Sequence, residues 1–147
     1  MGLAMVAIGM GVTTVHGYLN GDWIGRAAYL DAAWLRDPRF VVGIALYLGG
    51  FALNVLSDAR LRDLRRAGVD YAIPQGGGFR WVSCPNYLGE LVAWAGFALA
   101  TGSPGGLFIL AISAANLVPR AIDTHRWYRE RFPDYPPERR ALVPFVW

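Results

Sequence analysis

The sequence contains no lysine, one cysteine (Cys84) and only two histidines, His16 and His125, among 147 residues. A single cysteine cannot form an internal disulfide, and the two histidines lack metal-ligand spacing, so neither a disulfide framework nor a metal site is predicted. Charged residues are also scarce, at 17% against about 25% in soluble domains. All 14 basic side chains are arginines, which suit bidentate phosphate contacts, although a GC-rich genome also favours arginine.

Apolar residues take the place of the missing charges, at 54% of the chain against about 45–50% in soluble domains. Four stretches are interpreted as membrane spans. Residues 1–21 and 40–57 contain no charged residue, and a transmembrane helix needs about 20 apolar residues. Residues 86–101 and 106–119, with Glu90 as their only charge, are interpreted as the two helices of a hairpin. The sequence therefore predicts an all-α fold, an integral membrane helical bundle of about four transmembrane helices, forming one domain over residues 1–147.

The stretches between these spans are predicted from their breakers and charges. Residues 22–39 form a polar connector, and the second helix continues past its span to a stop at Gly68. The glycine run Gly76–Gly78 makes residues 69–85 a loop, and the segment 102–106 is a turn. The last helix continues to Pro133, after which a short tail follows. A secretory signal is the alternative for the first span, but it is not predicted, because such a signal needs a basic n-region and a small-residue cleavage site and neither is present.

The arginines divide unequally between the two sides of this four-span arrangement. Eleven lie in the loop after the second span or in the region from Arg120 onward, and three lie between residues 22 and 39. By the positive-inside rule, both termini and the 58–85 loop are predicted to be cytoplasmic. No nucleic-acid partner is predicted, because the basic residues flank apolar spans and the membrane surface accounts for them.

Polar side chains recur at helical spacing near the predicted cytoplasmic ends of three helices. They are Asn54, Asp58, Arg62 and Arg65 on the second helix, Asn86 and Glu90 on the third, and Arg120, Thr124 and Tyr128 on the last. Residues three and four apart share one helix face. Polar groups at membrane depth are costly and face the bundle interior or a wet cavity. The three ridges therefore predict a cavity that opens to the cytoplasm.

A dinucleotide fits the chemistry of such a cavity. Arginines can pair its phosphates bidentately, and Asp58 or Glu90 can accept hydrogen bonds from ribose hydroxyls or donors of the carboxamide. The backbone N–H groups of Gly76–Gly78 can approach a phosphate. This set of residues therefore predicts a binding site for an anionic ligand rich in hydrogen-bonding groups.

Each of these residues also has a purely structural explanation. Arg60 and Arg66 are explained as topology anchors just beyond a span. Asn54 and Asp58 are explained as polar contacts between packed helices. Asn86 is explained as a helix N-cap, which leaves Glu90 as a first-turn acid.

Four segments resemble the steroid 5α-reductase (3-oxo-5α-steroid 4-dehydrogenase) family. The longest is PQGGGFRWVSCPNYLGELVAWAGFALAT at residues 74–101, and NVLSDARLRDLR at 54–65 is the second. The third is RAIDTHRWYRERFPDYPPERRALVPF at 120–145, and HGYLNGDW at 16–23 also resembles a helix of the family. The resemblance covers nearly the whole chain and is strongest from Phe40 onward.

This resemblance implies a seven-helix membrane bundle that binds NADPH from the cytosolic side, in the endoplasmic reticulum or a bacterial inner membrane. It implies reduction of the C4–C5 double bond of a 3-oxo-Δ4 steroid, with hydride going to C5 and a proton to C4. The positions that match cofactor-contacting or cofactor-supporting positions of the family are Asn54, Asp58, Arg62, Arg65, Asn86, Glu90, Arg120, Tyr128 and Arg139.

The resemblance is to the C-terminal part of the family fold. In the family a glutamate and a tyrosine on earlier helices engage the steroid 3-oxo group, and no residue of this chain matches them. No catalytic residue is therefore assigned, and the chain is expected to be a fragment, or a reading frame begun at an internal methionine, that partners the missing N-terminal helices.

Three other readings compete with the steroid reductase. One is a related membrane reductase acting on enoyl thioesters or polyprenols, and another is a methyltransferase that uses S-adenosylmethionine. The third is a non-catalytic membrane fragment whose polar ridges only pack. The run SCPNYLGE at 83–90 favours the steroid branch, and the arginines favour a cofactor that carries phosphate.

Overall fold

A computed structural model describes residues 2–68 and 72–146. Four α-helices account for most of these residues: α1 (Leu3–Arg26), α2 (Pro38–Arg66), α3 (Pro85–Thr101) and α4 (Pro104–Arg131). Short 3₁₀ turns occur at Trp34–Arg36 and Gly77–Arg80, and β pairing among the described residues is limited to one isolated bridge. The all-α prediction is confirmed. Met1, residues 69–71 and Trp147, which belong to the predicted first span, loop and tail, lie outside the described residues.

Two of the helices have the length and the exposed apolar surface expected of membrane-spanning helices. Helices α2 and α4 are long and apolar enough to cross a membrane, and only 17% and 28% of their most apolar stretches are buried within the chain. Leu48 and Leu56 of α2 and Leu107 of α4 are 58%, 63% and 62% exposed. Apolar surface on this scale is typical of a membrane protein rather than of a soluble monomer. The count of four spans stays a prediction.

The first connector is shorter than predicted. Helix α1 continues to Arg26 and α2 begins at Pro38, so the connector is confined to residues 27–37. The charges of Asp22 and Arg26 do not end α1, because they lie one turn apart and pair across the last turn. At the other end of α2 the predicted stop is confirmed, since Gly68 follows the helix with a φ of +72°.

The turn between α3 and α4 is also shorter than predicted. Only Gly102 and Ser103 lie outside the two helices, and Pro104 begins α4. The Ser103 side-chain oxygen accepts hydrogen bonds from the backbone N–H groups of Gly105 (3.0 Å) and Gly106 (3.4 Å). A serine cap followed by proline starts a helix efficiently. Helix α4 then ends at Arg131, before Pro133 as predicted.

The chain divides into two compact units, Met1–Tyr47 with Trp94–Ile112, and Leu48–Ala93 with Ser113–Trp147. The single domain over residues 1–147 stays a prediction. In the first unit, aromatic side chains satisfy carbonyl groups at the end of α3. The Trp34 indole donates to the Ala100 carbonyl at 2.8 Å, and the Tyr29 hydroxyl donates to the Thr101 carbonyl at 2.8 Å. These bonds supply partners that the last turn of a helix lacks.

In the second unit, small residues let α2 and α3 approach backbone to backbone. A Cβ placed on Gly50 would lie 2.5 Å from the Ala93 nitrogen and 2.6 Å from the Gly89 carbonyl oxygen. Packing of small residues at a helix–helix contact is typical of membrane proteins. The contact sets the register in which the polar residues one turn further along α2 meet the start of α3.

We expect Gly50→Ala to destabilise this helix pair by about 1–3 kcal/mol, the usual cost of overpacking. The added methyl group would meet backbone atoms of α3, which cannot rotate away. The matched control is Gly49→Ala, because a Cβ at Gly49 meets nothing within 4 Å. Thermal unfolding in detergent, followed by circular dichroism, measures both variants. Equal midpoints for Gly50→Ala and Gly49→Ala would show that the close contact is absent.

Candidate functional site

A chain of hydrogen bonds joins α2 to the start of α3. The Asn54 amide donates to the Asn86 carbonyl at 3.0 Å, and the Asn86 amide donates to Asp58 Oδ1 at 3.0 Å. The approach depends on Gly89, where a Cβ would lie 2.5 Å from the Asn54 nitrogen. Two of the three predicted polar ridges therefore meet, because Asn54 and Asp58 belong to one and Asn86 to the other.

These hydrogen bonds rule out the N-cap explanation of Asn86 and are compatible with the packing explanation of Asn54 and Asp58. Asn86 is not a helix N-cap, because α3 begins at Pro85 and the Asn86 side chain reaches across to Asp58. The explanation of Asn54 and Asp58 as contacts between packed helices remains compatible with these bonds. Glu90 lies half-buried one turn beyond Asn86. Its convergence with Arg120 on a common cavity stays a prediction.

The predicted arginines fall into two groups. Arg62, Arg65 and Arg120 are exposed, and within residues 2–68 and 72–146 none of them forms an ion pair. Arg139 is different, because it is only 3% exposed. Buried and exposed arginines act differently, since charges in water are screened and buried charges are not.

The C-terminal tail places Arg139 in the second unit by folding back on the segment before α3. The Ser83 N–H donates to the Arg140 carbonyl at 2.8 Å, and the Arg140 N–H donates to the Trp81 carbonyl at 3.0 Å. These bonds form the isolated bridge between Val82 and Arg140. The tail is therefore an integral part of the site rather than an extension beyond it.

Among residues 2–68 and 72–146, no acidic side chain pairs with Arg139. Its Nη2 donates to Gln75 Oε1 at 2.9 Å, and its Cζ lies 5.3 Å from the centre of the Tyr135 ring. Its Nη1 is buried and has no hydrogen-bond partner among the described residues. The ion pairs within those residues are Asp22–Arg26 and Asp37–Arg39, so neither involves Arg139. An arginine stays charged when buried, and an uncompensated buried charge is costly. This geometry favours an anion beside Nη1.

Tyr135 connects Arg139 to α4. The Tyr135 ring stacks on Tyr128, a predicted site residue, with centroids 5.3 Å apart and planes 13° apart. The Tyr135 hydroxyl lies 2.6 Å from Ser83 Oγ, which also lies 2.6 Å from His125 Nδ1. Tyr128 and Arg139 therefore belong to one group through Tyr135.

The glycine run also has a specific neighbour. Gly76 and Gly77 have φ angles of +77° and +53°, which favour glycine. The Arg60 guanidinium lies over both, so that a Cβ on Gly77 would overlap it and one on Gly76 would lie 3.8 Å from it. Arg60 therefore contacts this loop in addition to any role as a topology anchor. A cavity of about 370 Å³ is lined by Arg60, Asp63, Leu64, Ala67, Ile73 and Gln75.

Four residues around Arg139 and Tyr128 were not predicted from the sequence, namely Gln75, Ser83, His125 and Tyr135. His125 lies on α4, whereas Gln75, Ser83 and Tyr135 lie on irregular segments, where helical spacing provides no guide to facing side chains. The only local signals are the position of Gln75 beside the glycine run and that of Tyr135 four residues before Arg139.

Comparison with known proteins decides the family. A sequence model described as 3-oxo-5-alpha-steroid 4-dehydrogenase matches residues 1–147, the whole chain. The chain belongs to the 3-oxo-5-alpha-steroid 4-dehydrogenase family. The family resemblance inferred from the sequence motifs is therefore confirmed.

Several curated members of the 3-oxo-5-alpha-steroid 4-dehydrogenase family are similar to this chain. It is 43% identical over 134 residues to 3-oxo-5-alpha-steroid 4-dehydrogenase 1 of Rattus norvegicus, which covers 90% of the chain and 52% of the rat protein. It is 41% identical over 143 residues to 3-oxo-5-alpha-steroid 4-dehydrogenase 2 of Homo sapiens, an alignment that covers 97% of the chain and 56% of the human protein. It is 41% identical over 135 residues to a steroid 5-alpha-reductase of Solanum lycopersicum, an alignment that covers 90% of the chain and 52% of that protein. The chain spans about half the length of these relatives.

Proposed function

We propose that this chain forms the NADPH-binding part of a membrane reductase that reduces the C4–C5 double bond of 3-oxo-Δ4 steroids. The observation that carries the proposal is Arg139, which is buried, lacks an acidic partner among the described residues and has an unsatisfied Nη1. The family membership supports the reaction class, since its named members are steroid 4-dehydrogenases and 5-alpha-reductases.

A phosphate group of NADPH fits the chemistry of Arg139. A phosphate oxygen would satisfy the free Nη1 and neutralise the guanidinium, and charge-assisted bonds of this kind are among the strongest in proteins. Gln75 and the Tyr135 ring hold the guanidinium from other directions, so its orientation is set before a ligand arrives. We assign Arg139 to a phosphate, with the exposed Arg62, Arg65 and Arg120 as further cations for the anionic cofactor.

The amides and carboxylates of α2 and α3 suit the rest of the dinucleotide. Asn54, Asn86 and Asp58 are joined by hydrogen bonds, which fixes the Asp58 carboxylate at one end. Asp58 and Glu90 can accept hydrogen bonds from ribose hydroxyls or from a carboxamide, as ionised carboxylates are acceptors only. Tyr128, held by its stack on Tyr135, offers an aromatic face and a hydroxyl.

When bound, NADPH supplies a hydride to C5 of the steroid, and a proton is added at C4. The residues of this chain bind and orient the cofactor and exclude water from it. Polarisation of the 3-oxo group is proposed to come from the part of the protein that this chain does not cover, since the relatives are about twice as long. No residue of this chain is assigned a catalytic role.

The rival functions differ in the cofactor or in the substrate. S-adenosylmethionine carries no phosphate and leaves Arg139 uncompensated, so the free Nη1 favours NADPH. Reduction of an enoyl thioester or a polyprenol uses the same cofactor, and the steroid reading is preferred on the identities of about 40% to named steroid enzymes.

Equilibrium binding to the full-length protein in detergent tests the cofactor. Saturable NADPH binding supports the proposal, while S-adenosylmethionine binding without NADPH binding would reject it.

We further propose that the chain crosses the membrane four times, with both ends and the cofactor site on the cytoplasmic side. The support is the division of the arginines, eleven against three. The membrane is a bacterial inner membrane or the endoplasmic reticulum, and the partners are the lipid bilayer, a steroid or similar enone, and the remaining helices of the enzyme.

This topology predicts one-sided cysteine labelling. A membrane-impermeant maleimide should label Ala32→Cys in the 27–37 connector only from the side opposite the cytoplasm, and Ala67→Cys only from the cytoplasmic side. Both positions are exposed. The native Cys84 provides a silent background, because it is 3% exposed and burial raises its pKa to about 12, against a weaker lowering by a hydrogen bond with Thr124. Since the thiolate is the reactive form, Cys84 should stay unlabelled. Labelling of Ala32→Cys only from the cytoplasm would overturn the topology.

A further inference from the structure

A largely buried polar cluster lies beside Arg139, and the hydrogen bonds within it have no role in the function proposed above. Its members are Ser83, His125 and Tyr135, and Ser83 and Tyr135 are 4% and 7% exposed. The Ser83 oxygen lies 2.6 Å from both His125 Nδ1 and the Tyr135 hydroxyl, and 3.2 Å from the Arg140 carbonyl. The cluster thus joins three separate segments, which are the stretch before α3, helix α4 and the C-terminal tail.

The hydrogen-bonding capacity of the Ser83 hydroxyl can be fully used. A serine hydroxyl donates once and accepts twice. If the Tyr135 hydroxyl and His125 Nδ1–H both donate to Ser83 Oγ, the Ser83 hydroxyl is free to donate to the Arg140 carbonyl. Fully satisfied polar networks in buried places fix one geometry, whereas partly satisfied networks do not. The arrangement therefore specifies the position of the Tyr135 ring.

The Tyr135 ring is the link to the anion site. Its hydroxyl is held by Ser83, its face stacks on Tyr128, and the Arg139 guanidinium lies 5.3 Å from its centre. The backbone bonds of Arg140 to Trp81 and Ser83 fix the residue next to Arg139. Movement of Tyr135 or of the tail would therefore displace the guanidinium whose Nη1 is free.

We propose that Ser83, His125 and Tyr135 form a positioning network that holds Arg139 in place for a phosphate of the cofactor. The proposal rests on the function proposed above, because it gives the network an effect on binding through Arg139. Ser83 and Tyr135 are positioning residues, since neither needs to touch the cofactor through its hydroxyl.

The test compares Tyr135→Phe with wild type in the full-length protein. This variant keeps the ring that faces Arg139 and stacks on Tyr128, and removes only the hydroxyl bonded to Ser83. We expect NADPH to bind about threefold to tenfold more weakly, the effect of one lost hydrogen bond, with a smaller change for NADH. Tyr18→Phe is the matched control, because Tyr18 is 70% exposed. Ser83→Ala removes the other partner and should give a similar loss.

A double-mutant cycle separates positioning from a general structural effect. If Tyr135 acts through Arg139, Tyr135→Phe should cause no additional loss of NADPH affinity in an Arg139→Ala background. An equal additional loss in that background would overturn the positioning role, as would unchanged affinity in Tyr135→Phe and Ser83→Ala. A normal NADPH affinity in Arg139→Ala alone would instead reject the proposed function, so the two failures are distinguishable.

Discussion

Arg139→Ala in the full-length protein should weaken NADPH binding far more than NADH binding. The guanidinium is 3% exposed and has one nitrogen without a partner among the described residues, so a phosphate placed there would be largely desolvated. Loss of such a contact is expected to cost about 2–5 kcal/mol. That energy corresponds to about 30-fold to several thousand-fold in the dissociation constant. The difference between the two cofactors isolates the 2′-phosphate, which NADH lacks.

The control for this prediction is the neighbouring Arg140→Ala. Arg140 carries the same charge and stands next in the chain, but its side chain is exposed. Its known bonds in the bridge are made by backbone atoms, which the substitution keeps. The loss of NADPH affinity in Arg65→Ala should lie between the losses in Arg139→Ala and Arg140→Ala, because solvent screens the charge of the exposed Arg65. Equal losses of NADPH and NADH affinity in Arg139→Ala would remove Arg139 from 2′-phosphate recognition.

Residues 1–147 alone should reduce 3-oxo-Δ4 steroids poorly or not at all. Hydride transfer to C5 builds negative charge on the 3-oxo oxygen, and a preorganised donor to such an oxygen is worth about 10²–10³ in rate. The family resemblance places a glutamate and a tyrosine for this role in earlier helices, and no residue here matches them. The assay is conversion of testosterone or progesterone with NADPH in detergent or liposomes.

Supplying the segment that corresponds to the other half of the relatives, in cis or as a separate chain, should restore turnover. A matched control uses Arg139→Ala in the restored system, where turnover at low NADPH should fall again if this chain holds the cofactor. Full activity from residues 1–147 alone would contradict the prediction and would place the polarising donor on a residue within this chain.

The helices could be predicted from the sequence because their signals are local. Apolar spans and breakers predicted all four helices, and Gly68 and Pro133 marked the ends of α2 and α4 correctly. The starts were less accurate, since Pro104 reads as a turn residue until Ser103 is recognised as its cap. The end of α1 also lies later than predicted, because the charged Asp22 and Arg26 suggest a connector but pair on the last turn of the helix.

The candidate site could be predicted only in part, for a related reason. Helical spacing places Asn54 and Asp58 on one face, and the structure joins them to Asn86. The part of the candidate site on the C-terminal tail depends on contacts between residues distant in sequence, such as that of Arg139 with Gln75. The family resemblance pointed to Arg139, but neither spacing nor composition indicates that it is buried and lacks an acidic partner in the part of the chain that the structure describes.

Hydrogen–deuterium exchange of the full-length protein, with and without saturating NADPH, tests most directly whether this chain holds the cofactor. The irregular segments 72–84 and 132–142 contain the neighbours of Arg139, and their amides are expected to exchange in the free protein. NADPH is expected to slow exchange in both segments, while NADH at equal occupancy should protect the 132–142 segment less. Protection confined to the part of the protein outside residues 1–147 would contradict the account.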